Sequence, residues 1–152
     1  MRHFEKIVTV GLCPCWDVTC RVDGIDWQEH KKILNQKNIP AGKALNISNA
    51  LAWMGIASTA AGLWGEDDYQ KASKELSAKA KFLTERFTVV EGSTRLNITI
   101  VDTLNNREMH LRGLCPLASR ASLERLRENL LEIVDKNSLC VFAGSMPPEE
   151  FN

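Results

Sequence analysis

The stretch Pro40–Leu63, PAGKALNISNALAWMGIASTAAGL, decides the fold. Pro40-Ala41-Gly42 breaks the preceding segment with a turn. Lys43–Met54 follows as a helix, and Gly55 stops it. Its small residues Ala44, Ser48, Ala50 and Ala52 let it lie close to a neighbour. Ser58–Leu63 then reads as a short core strand. No charge occurs from Ala44 to Gly65, yet Asn46, Ser48, Asn49, Gly55, Ser58 and Thr59 interrupt the run. A buried helix–turn–strand fits this pattern better than a membrane span.

Working outward, Lys6–Leu12 (KIVTVGL) is a β-branched run that reads as a buried strand. Val18–Val22 alternates, and Ile33–Ile39 is a weaker strand ended by Pro40-Ala41-Gly42. Downstream, Asp67–Ala80 is a helix with an apolar row through Leu76, and Phe87–Val90 is a short strand. Arg95–Thr103 is the clearest alternating strand, with Leu96, Ile98 and Ile100 on one face. Asn105-Asn106 turns it back into Met109–Leu111. Ser122 is read as the N-cap of a helix striped by Leu123, Leu126, Leu130 and Ile133. Leu139–Ala143 closes the series as a buried strand. Alternating βα units predict an α/β fold, a parallel core sheet with helices on both faces. The surplus strands, within about residues 18–39 and 87–112, are expected to form a small separate sheet. No repeat or linker divides residues 1–152.

The bulk numbers exclude several function classes. Lys+Arg and Asp+Glu both total 19, so the net charge is zero and no nucleic-acid partner is expected. The cluster His30, Lys31, Lys32 and Lys37 reads as a solvated strand edge. Met1–Leu12 carries Glu5 and Lys6 and is not a signal peptide in pattern. Five cysteines in a chain without a small secreted frame are read as reduced thiols in the cytosol. Cys13-Pro14-Cys15 lacks the spacing and the second pair of a zinc site. Trp16, Trp27, Trp53 and Trp64 are read as packing residues.

Four segments could carry chemistry. Gly42 and Lys43 open a helix whose free N–H groups attract anions, although a Gly-Lys helix start is more often plain turn chemistry. It is no Walker loop, since Ala44 and not Ser or Thr follows Lys43. Arg95, Asn97 and Thr99 share one strand face, where a guanidinium fork could grip phosphate, or the face could simply meet water. Asp17 follows the first strand, where a carboxylate can accept hydrogen bonds from sugar hydroxyls or serve as a turn residue. Gly144-Ser145 follows the last strand in the same layer.

Taken in order, these segments resemble the PfkB/ribokinase family of carbohydrate kinases. Cys13-Pro14-Cys15-Trp16-Asp17 is similar to the family's N-P-S-[IL]-D, and Pro40–Asn46 to P-G-G-K-G-I-N. Thr94-Arg95-Leu96-Asn97 matches T-R-x-N, and Gly144–Pro148 matches G-S-L-P-P. The nearest branch is the 1-phosphofructokinase and tagatose-6-phosphate kinase group. The resemblance implies a ribokinase-like core with a β-sheet lid. It implies that Asp17, Gly42 and Asn46 contact the sugar and that Arg95, with Lys43, holds its phosphate. It places Ser145 at the phosphate end and Asn97 on the lid face. Lys31 and Glu108 lie near family substrate positions. Ala41 and Ala44 replace family glycines, and each is expected to add a methyl where backbone approaches the ligand.

The family's later G-A-G-D motif, which supplies the catalytic base, the anion hole and the ATP pocket, does not occur before Asn152. The chain is therefore expected to be truncated, to hold only the sugar-phosphate-binding half, and to be inactive alone. Its parent is expected to be a cytoplasmic kinase using ATP and Mg2+ on a fructose- or tagatose-phosphate type of sugar. The alternative is a non-catalytic sugar-phosphate-binding or interaction module. A homodimer through the lid strands is also expected.

Overall fold

The computed structural model describes residues 4–77 and 81–147. In chain order these form β1 (Lys6–Gly11), β2 (Cys15–Val22), β3 (Asn35–Ala41), α1 (Lys43–Trp53), β4 (Ser58–Gly65) and α2 (Glu66–Ser77). Then come β5 (Leu83–Val90), β6 (Leu96–Asp102), β7 (Arg107–Arg112), α3 (Arg120–Ile133) and β8 (Ser138–Phe142). One sheet runs β5-β4-β1-β8 with every pairing parallel. The second runs β3-β2-β6-β7 and is mixed, with only β2 and β6 parallel.

The α/β class with a parallel sheet and a second sheet is as expected from the sequence. The assignment of Phe87–Val90 is corrected. That segment belongs to β5, paired in register with all eight residues of β4 at the edge of the parallel sheet. Its aromatic and β-branched residues pack there, Phe87 on one face and Val90 on the other. Residues 40 and 41 continue β3 and do not end it. Pro40 is tolerated because β3 is an edge strand, where a missing N–H breaks no ladder. The α3 cap is Ser119 and not Ser122, which sits at the third helical position and completes a reciprocal box with the Ser119 backbone. Helix α2 begins at Glu66, and residues 78–80 of its expected span lie outside the described residues. Pro148 of the G-S-L-P-P match does too.

The alternation of β4 builds two cores. Ala60 and Trp64 face α1, α2 and the β2 residues Trp16, Val18 and Cys20. Ala61 and Leu63 face the opposite way, onto Val8, Val10 and the α3 residue Leu126. Helices therefore cover both faces of the sheet. Leu123, Leu130 and Ile133 complete the α3 stripe. Trp16 and Trp64 meet edge to face at 5.9 Å, as packing residues should. Trp27 and Trp53 are corrections, since they are 88% and 90% exposed. Trp27 lies in the segment before β3, and Trp53 ends α1 outside the stripe through Leu45 and Ser48. Gly62 must be glycine: its φ is +142°, and a Cβ would collide with the carbonyl of Gly11 on β1.

The buried threonine, serine and aspartate side chains are matched. Thr9, Ser48 and Ser58 share hydroxyl hydrogen bonds of 2.8 and 3.0 Å between β1, α1 and β4. Asp102 ends β6 wholly buried. It accepts hydrogen bonds from the backbone of Gly24, Ile25, Leu104 and Asn105 and from the Asn105 and Arg107 side chains. These donors hold its carboxyl well below the usual carboxylate range, the Asn105 amide foremost. The reading of all cysteines as reduced is also corrected: Cys13 and Cys115 form a disulfide, with Cα atoms 5.7 Å apart. The turn after β1 and the segment after β7 converge at that point. No helix among the described residues is long and apolar enough to cross a membrane.

Candidate functional site

In the parallel sheet the chain leaves β1 on one side for β4 and β5, then returns through α3 to β8 on the other. The connections diverge at the carboxyl ends of β1 and β8, which is where open parallel sheets leave a crevice. A cleft of about 220 Å³ lies there, roofed by the second sheet. The seven residues that the resemblance places at the ligand border it, namely Asp17, Gly42, Lys43, Asn46, Arg95, Asn97 and Ser145, while Thr99 of the same strand face bonds His110 instead.

The start of α1 forms one wall. Gly42 precedes the helix with φ +127°, and a Cβ there would approach the Pro14 backbone at 3.5 Å. No side chain caps the helix and no acidic residue occupies its first turn. The first helical bond runs from the Asn46 N–H to the Gly42 carbonyl at 2.8 Å, so the three preceding N–H groups are free of helical partners. Those groups and the dipole favour an anion. Gly144 closes over this end, its position for a Cβ being 3.9 Å from that of Lys43.

Arg95 is the second wall. Its neighbour Thr94 is buried, accepting from the Gly65 N–H at 2.9 Å and donating its own N–H to Asp68 at 2.8 Å. Asp68 also takes the Trp64 indole N–H at 2.6 Å, so the acidic start of α2 fixes where Arg95 departs. The guanidinium donates to the carbonyls of Cys13 (3.0 Å), Pro14 (3.2 Å) and Gly113 (3.3 Å) and to the Ser145 hydroxyl (3.3 Å).

The third wall is the polar face of the second sheet. Register places Asp17 beside Asn97, and Asn97 opposite Arg112. The Asn97 amide N–H donates to Asp17 at 3.3 Å and to the Cys15 sulfur at 3.0 Å, while its carbonyl oxygen is buried without a partner among the described residues. Burial pushes the Cys15 thiol up to about 12, with the Asp17 charge adding to it, so the group is a thiol at neutral pH. Arg112 borders the cleft and was not among the residues read from sequence. The signal was there: a turn at Asn105-Asn106 that sets Asp102 opposite Arg107 also sets Asn97 opposite Arg112. Among the described residues Lys43, Arg95 and Arg112 face a single carboxylate, Asp17, so this part of the lining carries excess positive charge suited to a phosphate.

Ala41 and Ala44 line the same cleft but are only 1% and 4% exposed, so their methyls lie in its floor. Lys31 pairs with Glu29 at 2.5 Å and Glu108 with His110 at 3.0 Å, and neither borders the cleft.

Comparison with known proteins identifies the family and the fold. Residues 5–150 match the model of the pfkB family carbohydrate kinases. The 1-phosphofructokinase of Vibrio cholerae is 23% identical over 94% of this chain, and that of Borreliella burgdorferi 29% over 93%. The chain spans 44% of the length of each relative. Among solved structures, phosphofructokinase-2 of Escherichia coli in complex with fructose-6-phosphate superposes with a TM-score of 0.85 at 20% identity, over 94% of this chain and 46% of that one. The same enzyme is known in a tetrameric inhibited form. The fold, the cleft at the β1–β8 divergence and the family match together establish that this chain belongs to the pfkB family of carbohydrate kinases.

Proposed function

We propose that the protein carries the sugar-phosphate-binding half of a cytoplasmic, ATP-dependent kinase acting on a fructose- or tagatose-phosphate type of substrate. The observation that carries this reading is the meeting of Arg95 and Ser145, 3.3 Å apart, beside the uncapped start of α1. In it, the phosphate sits among the Arg95 guanidinium, the Ser145 hydroxyl and Lys43. A planar fork and a helix start both suit a dianion. Asp17 accepts from sugar hydroxyls, and the unpartnered Asn97 oxygen takes another. Gly42 lets the backbone approach the sugar, and Asn46 borders it.

ATP with Mg2+ belongs to the same proposal, because the family is one of kinases. When bound, the nucleotide supplies the transferred phosphoryl group and the ion neutralises its charge. Among the described residues no three His, Cys, Asp or Glu side chains gather, and none is assigned to the ion. The contribution of this half is to hold and orient the acceptor sugar and to balance its phosphate charge.

The test is calorimetry in reducing buffer with fructose 1-phosphate, fructose 6-phosphate, tagatose 6-phosphate and fructose. At least one phosphorylated sugar should bind more than about tenfold tighter than fructose. Equal affinity for fructose and all three phosphates would sink the reading. One observation favours the second reading, a non-catalytic module: among the described residues Asp17 is the only carboxylate lining the cleft, and Asn97 and Cys15 both donate to it. Binding by the 152-residue chain without ATP-dependent turnover is expected under both readings; turnover would eliminate the second. A homodimer through the second sheet is proposed as well, supported by Leu96, Met109 and Leu111, exposed by 48%, 38% and 46%. A monomeric mass by light scattering at high concentration would refute it.

A further inference from the structure

The disulfide joins the two backbone segments that hold Arg95. Cys13 and Pro14, in the turn after β1, offer carbonyls at 3.0 and 3.2 Å. Gly113, two residues before Cys115, offers a third at 3.3 Å. With the Ser145 hydroxyl, four of the five N–H groups of the guanidinium are engaged. Among the described residues this leaves one free Arg95 donor for a phosphate entering the cleft, where a fork needs two. Cys13 is buried and borders the cleft, while Cys115 is half-buried beside Leu114, which is 88% exposed. Cys115 is thus the more exposed residue of the pair and the one a solvent thiol approaches more readily. Accessible disulfides are the labile, regulatory kind.

We propose that Cys13 and Cys115 form a reversible redox clasp that sets how much of the Arg95 guanidinium is available to a sugar phosphate, with a low-molecular-weight disulfide as oxidant. The inference rests on the reading of Arg95 as the phosphate-binding residue. In the oxidising direction the Cys115 thiolate attacks the small disulfide and expels one thiolate. The Cys13 thiolate then attacks the Cys115 sulfur of the mixed disulfide and expels the second. Two protein thiols become one disulfide, the small disulfide becomes two thiols, and two electrons pass to it. Reduction reverses both steps and frees the segment 113–116 from the turn at 12–14. The guanidinium then turns from the carbonyls to the ligand.

The test equilibrates the chain with glutathione disulfide or with dithiothreitol, then alkylates it after unfolding and measures its mass. Three alkylated thiols are expected in the first case, Cys15, Cys20 and Cys140, and five in the second. The Kd for fructose 1-phosphate should be at least about fivefold lower in the reduced form. Cys115→Ser should hold the tighter value in both buffers, and Cys13→Ser is the second variant should the first fail to fold. Five alkylated thiols in glutathione disulfide, or Kd values within about twofold of each other, would overturn the clasp. A chain that binds no sugar phosphate in either state removes the substrate reading and leaves the clasp to a separate measurement. That is the Arg95 Nε–H resonance, assigned by its loss in Arg95→Lys. A shift between the oxidised and reduced forms upholds the clasp, and an unchanged resonance overturns it.

Discussion

Replacing Arg95 with alanine separates what the guanidinium does for the fold from what it does for the ligand. The side chain donates to three backbone carbonyls, at 3.0, 3.2 and 3.3 Å. Cys13 and Pro14 are buried but line the cleft, and Gly113 is half-buried, so water can replace part of what is lost. The expected loss of stability is about 1–2 kcal/mol. The ligand term is larger. Hydrogen bonds to a charged group contribute about 1.5–3 kcal/mol each, and two of them at the low end give about 3 kcal/mol. That corresponds to about a 150-fold rise in Kd for a phosphorylated sugar. Fructose has no phosphate to lose, so its affinity should change by no more than about twofold. Arg95→Lys keeps the charge without the planar fork and should fall between, at about tenfold.

The assay is calorimetry in reducing buffer, paired with urea unfolding of each variant so that binding is compared only between folded proteins. The decisive quantity is the ratio of the two losses, phosphorylated sugar against fructose. Equal losses for the two ligands in Arg95→Ala would refute the reasoning. Arg95 would then shape the cleft through its three carbonyls without touching phosphate.

Other outcomes follow from the same structure. Asp102 has a depressed carboxyl, so it adds stability above the ordinary value of 3.8 and that stability is lost as pH falls below it. Urea unfolding between pH 3 and 7 should show an acid-side decline in the wild type that is flatter in Asp102→Asn; identical slopes would contradict this. Cys15, pushed to about 12, should alkylate in the native state far more slowly at pH 8 than the exposed Cys140. In Asp17→Asn the Cys15 thiol should titrate lower but still above 9.0, because burial is the larger cause; mass mapping of alkylation against pH reads both. Leu63→Ala should cost about 2–5 kcal/mol, since Leu63 is wholly buried, while Leu131→Ala, at 61% exposure, should stay within about 0.5 kcal/mol.

The legible parts of this protein are those encoded locally. The turn, helix and strand of Pro40–Leu63 need no distant partner to be read, and the α3 stripe follows from helical spacing. Arg95, Asn97 and Thr99 share a face by simple alternation. What was not legible depends on pairing. Phe87–Val90 is short enough to suit either sheet, and only its register with β4 assigns it to the core. Arg112 sits beyond the expected end of its strand, so its approach to Asn97 emerges only from counting back through the hairpin. The disulfide spans 102 residues, and no local pattern links a turn after the first strand to a segment after the seventh.

The two alanines in the turn show why a motif departure is hard to weigh without coordinates. From sequence, Ala41 and Ala44 add methyls where backbone should approach a ligand. In the fold, the Ala44 methyl meets the Cα side of Gly11, where a Cβ would lie only 3.3 Å from it. The space that a glycine at 44 would have left is filled from below, and a glycine at 11 makes room for it. Ala41 pairs with Cys15 in the second sheet and is covered there. The helix start keeps its uncapped N–H groups and the left-handed Gly42 that exposes them. The anion-attracting part of the turn therefore depends on Gly42 and on the absence of a cap, and the two substitutions leave both in place.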